Sequence, residues 1–318
     1  MQSASLQKGE TAMTRKFNFF LASAILCLWL SSAINADPLS VTTTSNANTL
    51  ANTLLASSSG ITINSATYTG ANNASGTFSG GTGVIGFESG IVLTTGDAQF
   101  VIGPNNTGDA GTDNGAPGTS LISDSFNASI LEIVFTPAGN QIQFSYVFGS
   151  EEYNEYVGSP FNDAFRFLVN GVNYALIPGT TTPVEINNVN NGFASGRNRA
   201  TGPCTNCSFY IDNNPFPGNT NGPFNTQLDG FTTVLSFVAP VNPNVQNTLT
   251  LVIADRHDAI LDSAVFIKGG SLQVCGGPDQ PPCQPPSAVP EPTTMLLLGT
   301  GLAGVVGAVK RRRSRMGR

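Results

Sequence analysis

Apolar and polar positions alternate along most of this chain, and the alternation predicts a series of short β-strands. The clearest case is 141–148. There Ile142, Phe144, Tyr146 and Phe148 fall on one face and Gln141, Gln143 and Ser145 on the other, the period of a half-buried strand. A second alternating stretch, 164–169, turns Phe165, Phe167 and Val169 inward. Further strands are expected at 61–69, 84–87, 91–95, 131–136, 174–177, 184–186, 209–211, 231–238, 248–254, 264–267 and 272–274. Gly, Asn and Pro punctuate nearly every gap, as antiparallel turns require. Only the segment from Asp37 to about Gly60 has mildly helical spacing, with Leu50, Leu54 and Leu55 on one short face. No long amphipathic helix alternates with the strands, which removes a parallel α/β sheet. No repeat of fixed period supports a propeller or solenoid. The expected fold is all-β: a two-sheet antiparallel β-sandwich, jelly-roll-like, with long polar loops.

Two of those loops stand out. Residues 103–118, GPNNTGDAGTDNGAPG, place Asp109 and Asp113 among turn formers. They lack the spacing and closing Glu of an EF-hand, so a flexible, solvated loop is expected. Residues 187–227 hold Arg197, Arg199 and a CxxC.

Carboxylates crowd two strand ends. Glu151, Glu152 and Glu155 follow the 141–148 strand, and Asp163 precedes the next; Asp255, Asp258 and Asp262 follow the 248–254 strand. Crowded carboxylates are offset either by water, if the loops are exposed, or by a hard cation with oxygen ligands. If the two loops meet at one sheet edge, Ca²⁺ suits them. Glu151, Glu152, Asp163, Asp255, Asp258 and Asp262 are the candidate metal ligands, two to four of them with backbone carbonyls and water.

These blocks carry a resemblance. FSYVFGSEEYNEYV and FNDAFRFLVNG, with LANTLLASSSGITINSATYTG, GFESGIVLTTG at 86–96, YALIPGTTTPVEINNVN at 174–190 and IADRHDAILDSAVFI, run in order through most of 39–275. Together they resemble the choice-of-anchor L domain of bacterial secreted proteins. The resemblance implies an extracellular β module held to cells by differing C-terminal anchors, with a surface or matrix role. It supplies no catalytic residues.

Composition and charge sharpen this picture. Charged residues make up only 11% of the 318, with 35 Gly and 20 Pro, a turn-rich extracellular balance. Between Asp37 and Pro290 stand five basic residues against 18 acidic ones, a net charge of −13. Such a body repels phosphate backbones, so nucleic acid is excluded as a partner. The remaining basic residues sit at the two ends. Residues 1–36 read as a signal peptide: Arg15 and Lys16, an apolar stretch 17–30, then small residues with cleavage after Ala33 or Ala36. The expected domain, 37–275, is followed by a Pro/Gly-rich linker, 276–292, an apolar segment, 293–309, and a basic tail, 310–318. Pro290, Glu291 and Pro292, then the apolar run, then Arg311, Arg312 and Arg313 resemble the PEP-CTERM sorting signal of exopolysaccharide-producing bacteria. That resemblance implies an exosortase-type peptidase as partner, with transient anchoring in the inner membrane by a transmembrane helix. The bland alternative is a plain C-terminal anchor. Inside the apolar run, the GxGxxG of residues 299–304 follows no strand and reads as small residues for helix packing.

Cysteine and histidine decide the remaining chemistry. With Cys27 in the signal peptide, Cys204, Cys207, Cys275 and Cys283 remain, an even number that points to two disulfides in an exported chain. The proximity pairing, Cys204–Cys207 and Cys275–Cys283, is expected; a Cys₄ zinc site is the alternative. His257, the only histidine, is read as a surface residue. A glycoside hydrolase needs two carboxylates about 5–10 Å apart, which the acidic loops could supply. The only tryptophan, Trp29, leaves with the signal peptide, so no Trp remains to line a sugar cleft. The expectation is therefore a non-catalytic exported protein of the cell envelope or extracellular matrix, adhesive and Ca²⁺-stabilised, contacting exopolysaccharide or another surface glycan. The alternative is a Ca²⁺-dependent, lectin-like module with Tyr153 and Tyr156 stacking on sugar.

Overall fold

A computed structural model describes residues 38–190, 206–214 and 222–283. The chain opens with β1 (Ser40–Thr43), helix α1 (Ala47–Leu54), β2 (Ile61–Thr69), β3 (Ser75–Ser79) and β4 (Gly90–Thr94). Next come β5 (Pro117–Thr119), β6 (Ile122–Pro137), β7 (Gln141–Ser150), β8 (Ala164–Val169) and β9 (Val172–Asn173). The last are β10 (Tyr210–Asp212), β11 (Gly230–Thr232), β12 (Leu235–Pro240), β13 (Asn247–Arg256), β14 (Ser263–Lys268) and β15 (Gln273–Val274). Asn46 caps α1, its side chain accepting from the Thr49 N–H, and the helix buries Leu50, Ala51 and Leu54. Leu55 falls just past its end.

The strands form two antiparallel sheets, as the alternation implied. Nine strands make one, in the order β1-β3-β4-β14-β7-β11-β10, with β12 and β15 also pairing with β7. Six make the other, β2-β6-β13-β8-β9, with β5 beside β6. Fifteen strands exceed the eight of a jelly roll. The main core lies between the sheets, where Phe144, Tyr146 and Phe148 of β7 meet Phe165 and Phe167 of β8 and Leu249, Leu251 and Ile253 of β13.

Strand β7 is not half-buried, as its alternation predicts. Its other face is covered too: Val147 joins Val92, Phe266, Phe231 and Phe87 in a second apolar cluster. The segments around Phe87 and Val101, laid over the larger sheet, supply this outer layer. Residues 84–87 belong to it as a turn, with the Val84, Ile85 and Gly86 N–H groups all donating to the Gly81 carbonyl, not as the expected strand. The 184–186 strand is likewise absent, replaced by one bridge at Glu185 and a short helical turn, Ile186–Val189. The 131–136 strand is the second half of the sixteen-residue β6, and 231–238 divides into β11 and β12.

Cys275 and Cys283 are disulfide-bonded, as the proximity pairing requires. Cys207 is disulfide-bonded as well; Cys204 lies outside the described residues. So do the signal peptide, the apolar segment 293–309, Pro290, Glu291, Pro292, Arg311, Arg312 and Arg313. Among the described residues, no helix is long and apolar enough to cross a membrane.

A buried acidic site at one end of the sheets

Register brings the two acidic loops together. Ser150, the last residue of β7, pairs with Ser263, the first of β14, while Ala164, the first of β8, pairs with Ala254 near the end of β13. The loops leaving these strands therefore share one end. The Glu151 N–H donates to the Asp262 carbonyl at 3.1 Å. Asp163 accepts from the Arg256 N–H through Oδ1 at 2.9 Å and from the Ser263 hydroxyl through Oδ2 at 2.7 Å. Gly96, just beyond β4, lets the backbone pass close beneath Asp262. A Cβ there would stand 1.6 Å from Asp262 Oδ2, so any side chain at this position must displace that carboxylate.

The 103–118 loop is not simply solvated, as its composition implies. It closes over the acidic end. The Ala110 N–H donates to Glu151 Oε2 at 3.2 Å and the Thr112 N–H to Asp262 Oδ2 at 3.0 Å. The Asp262 N–H returns a bond to the Ala110 carbonyl at 3.2 Å. Asn127 anchors the far side of the loop, its amide oxygen accepting from the Ala116 N–H and its Nδ2 donating to Asp255 Oδ2, both at 3.2 Å.

Of the six candidate ligands, Glu151, Glu152, Asp163, Asp255 and Asp262 are each at most 1% exposed; Asp258 is half-buried. A seventh acid, Asp229, is fully buried among them, and sequence reasoning missed it. Its local sequence, QLDG, carries no signal. It reaches the site because Gly230 pairs with Ser150 across β11 and β7, which sets Asp229 beside Glu151. Among the described residues, none of these seven acids forms an ion pair. One oxygen each of Glu151, Glu152, Asp229, Asp255 and Asp262 is buried without a hydrogen-bond partner.

The electrostatics follow from that arrangement. Burial, then Asp163, Asp258 and Glu155, pushes Glu152 up to about 10. Asp229 is pushed up to about 9 by burial and by Glu155, against the hydrogen bond from Asn105. Burial lifts Asp262 to about 8. Asp163 reaches only about 7, because Ser263 and Arg256 stabilise its charged form. Glu151 and Asp255 are raised well above the carboxylate range by burial, with Asp229 and Asp163 as their respective nearest repulsions. Among the described residues, no three Asp, Glu, His or Cys side chains are already gathered around one point as metal ligands.

A cavity of about 180 Å³ adjoins the cluster, lined by Asp109, Glu152, Glu155, Tyr156, Phe161 and Asp258 among others. Tyr156 is 37% exposed and packs edge-on against Phe161. Tyr153, expected to face sugar with it, is fully buried against Tyr210, ring centroids 4.9 Å apart. Its ring is not available for stacking. His257 is exposed on the β13–β14 loop, its N–H bonded to the Asp124 carbonyl.

Comparison with known families gives two matches. The model of the choice-of-anchor L domain matches residues 38–273, and that of the PEP-CTERM protein-sorting motif matches residues 288–313. No curated protein and no solved structure matches the chain significantly.

Proposed function

Because the chain belongs to the choice-of-anchor L domain family and ends in a PEP-CTERM sorting motif, we propose that it is a non-catalytic module displayed outside the cell. The family and the motif support an exported, envelope-associated protein whose tail marks it for an exosortase. The β-sandwich is then the delivered cargo, acting as a structural or adhesive element of the surface matrix. The order of the chain carries this reading: the sorting motif begins at residue 288, fifteen positions after the domain match ends at 273. Catalysis is disfavoured by the site itself. Glu151, Asp163, Asp229, Asp255 and Asp262 are buried outside the adjoining cavity rather than presented along a cleft, and His257 is exposed on the β13–β14 loop.

Mass spectrometry of the exported protein tests the proposal. The mature chain should begin near Ala36 and lack the basic tail. A mature surface form that retains the tail would replace exosortase processing with a plain membrane anchor.

A second reading has one observation behind it. Tyr156 stands partly exposed in an acidic cavity beside Glu152 and Asp258, an arrangement that suits the face of a sugar ring carrying hydroxyl or amino groups. Glycan-array binding abolished by Tyr156→Ala would favour it.

A further inference from the structure

The acids beneath the 109–116 segment lack something. Asp255 and Asp262 each give one oxygen to a protein donor, Asn127 Nδ2 and the Thr112 N–H respectively. Each keeps Oδ1 buried and unpartnered. Consecutive residues join them: the Thr95 side chain lies beside Asp255, and Gly96 abuts the Asp262 carboxylate. Thr95 is itself pinned, its Oγ1 accepting from the Ser263 N–H at 2.9 Å. The two free oxygens are thus held at strand ends, and among the described residues neither carboxylate forms an ion pair with Lys or Arg. A buried anionic oxygen without a donor is expensive to maintain.

We propose that these strand ends bind one Ca²⁺ ion, held by the buried Oδ1 atoms of Asp255 and Asp262, with neutral oxygens and water completing its shell. Two carboxylates neutralise a divalent ion, which accords with the lack of any ready-made set of three acidic ligands. Asp163 is not among the ligands, since both its oxygens are engaged by Arg256 and Ser263. Calcium is favoured over magnesium because it accepts six to eight oxygens in irregular geometry, whereas magnesium demands a near-ideal octahedron and keeps its water. An affinity of about 10⁻⁴–10⁻³ M, the range of extracellular Ca²⁺ sites in general, is expected. The ion would then lock the 109–116 segment to the ends of β13 and β14.

The test uses the exported protein, the metal alone as ligand, and two readouts. Thermal melts are compared in millimolar Ca²⁺, millimolar Mg²⁺ and chelator. Tb³⁺ luminescence sensitised by the tyrosines then measures direct binding and its displacement by Ca²⁺. The melting temperature should rise several degrees in Ca²⁺ over chelator, and little in Mg²⁺. Asp255→Asn with Asp262→Asn should abolish both responses, while the exposed Asp279→Asn should keep them. Should the double variant fail to fold, Gly96→Ala serves instead, since its methyl would push the Asp262 carboxylate aside; it should weaken Tb³⁺ binding at least tenfold. Coincident wild-type melts with no saturable Tb³⁺ signal would overturn the proposal. So would a Ca²⁺ response that survives in the folded Asp255→Asn, Asp262→Asn protein, or undiminished Tb³⁺ affinity in Gly96→Ala.

Discussion

Asp163 does more structural work than a position in an acidic run suggests. Its two oxygens accept from Arg256 of β13 and Ser263 of β14, strands of different sheets, so one side chain fastens both sheets at this end. Asp163→Ala would leave the buried Ser263 hydroxyl unsatisfied, at a cost of about 1–3 kcal/mol, and the part-buried Arg256 N–H without its acceptor. The expected result is a lower urea midpoint with an unchanged slope. Glu152 and Asp229 show the opposite balance, with burial and like charges lifting them to about 10 and about 9. In an unfolded chain the same carboxyls titrate near 4. The folded state therefore holds their protons more tightly. Without a bound cation, the stability they confer is complete below about pH 4 and is lost as pH rises toward 9–10, by about 1.4 kcal/mol per pH unit for each proton. Against a total stability of about 5–15 kcal/mol, that loss is large. In chelator, the melting temperature should fall between pH 5 and pH 9, and Asp229→Asn should flatten the fall. A melting temperature independent of pH across that range would contradict the buried, uncompensated placement of these acids.

Strands with clean alternation were legible in the chain itself: β2 and β8 occupy 61–69 and 164–169 as expected. The inward set of β7 was legible too, because a period of two leaves one choice of core face. Phe167 is the centre of that core, edge-on to Phe144, Tyr146 and Phe165 with centroids 4.3, 4.7 and 4.1 Å away. Phe167→Ala should cost about 3–5 kcal/mol, read as a lower denaturation midpoint. What the alternation hid is the second layer. Val147 and Phe266 look outward in a two-sheet picture, yet loops carrying Phe87, Val101 and Leu228 cover them. Loop placement of that kind depends on contacts remote in sequence. The short strand β3, between β1 and β4, was missed for a related reason: SGTFS has a single large apolar residue, Phe78, and its pairing with β1 through Val41 is settled by tertiary contact. The acidic site divides the same way. Its two runs stood out as clusters, whereas Asp229 and the closing 103–118 loop reach the site only through pairing and chain reversal.

Charge is distributed over the whole molecule by segment. Nine of its 14 basic residues lie before Phe17 or after Val309, and the intervening body is acidic. The ends and the body are thus suited to different surroundings: basic, apolar ends to a membrane with an anionic cytoplasmic face, an acidic body to the outside. Removing both ends takes away those nine basic residues, so the mature form should focus below the whole chain's isoelectric point of about 4.7 and pellet with no membrane. The sorting motif at 288–313 makes Glu291 the residue to change, because it is the only acid in the segment between Asp279 and the chain end. With Glu291→Ala the export signal and the β-sandwich are untouched. The expected outcome is a folded domain that accumulates in the membrane fraction with its basic tail attached, at a mass larger than that of the released wild-type form. Anti-tail immunoblotting of separated membrane and extracellular fractions reads the result directly. Equal release of tail-free protein from wild type and Glu291→Ala would show that cleavage does not depend on the motif.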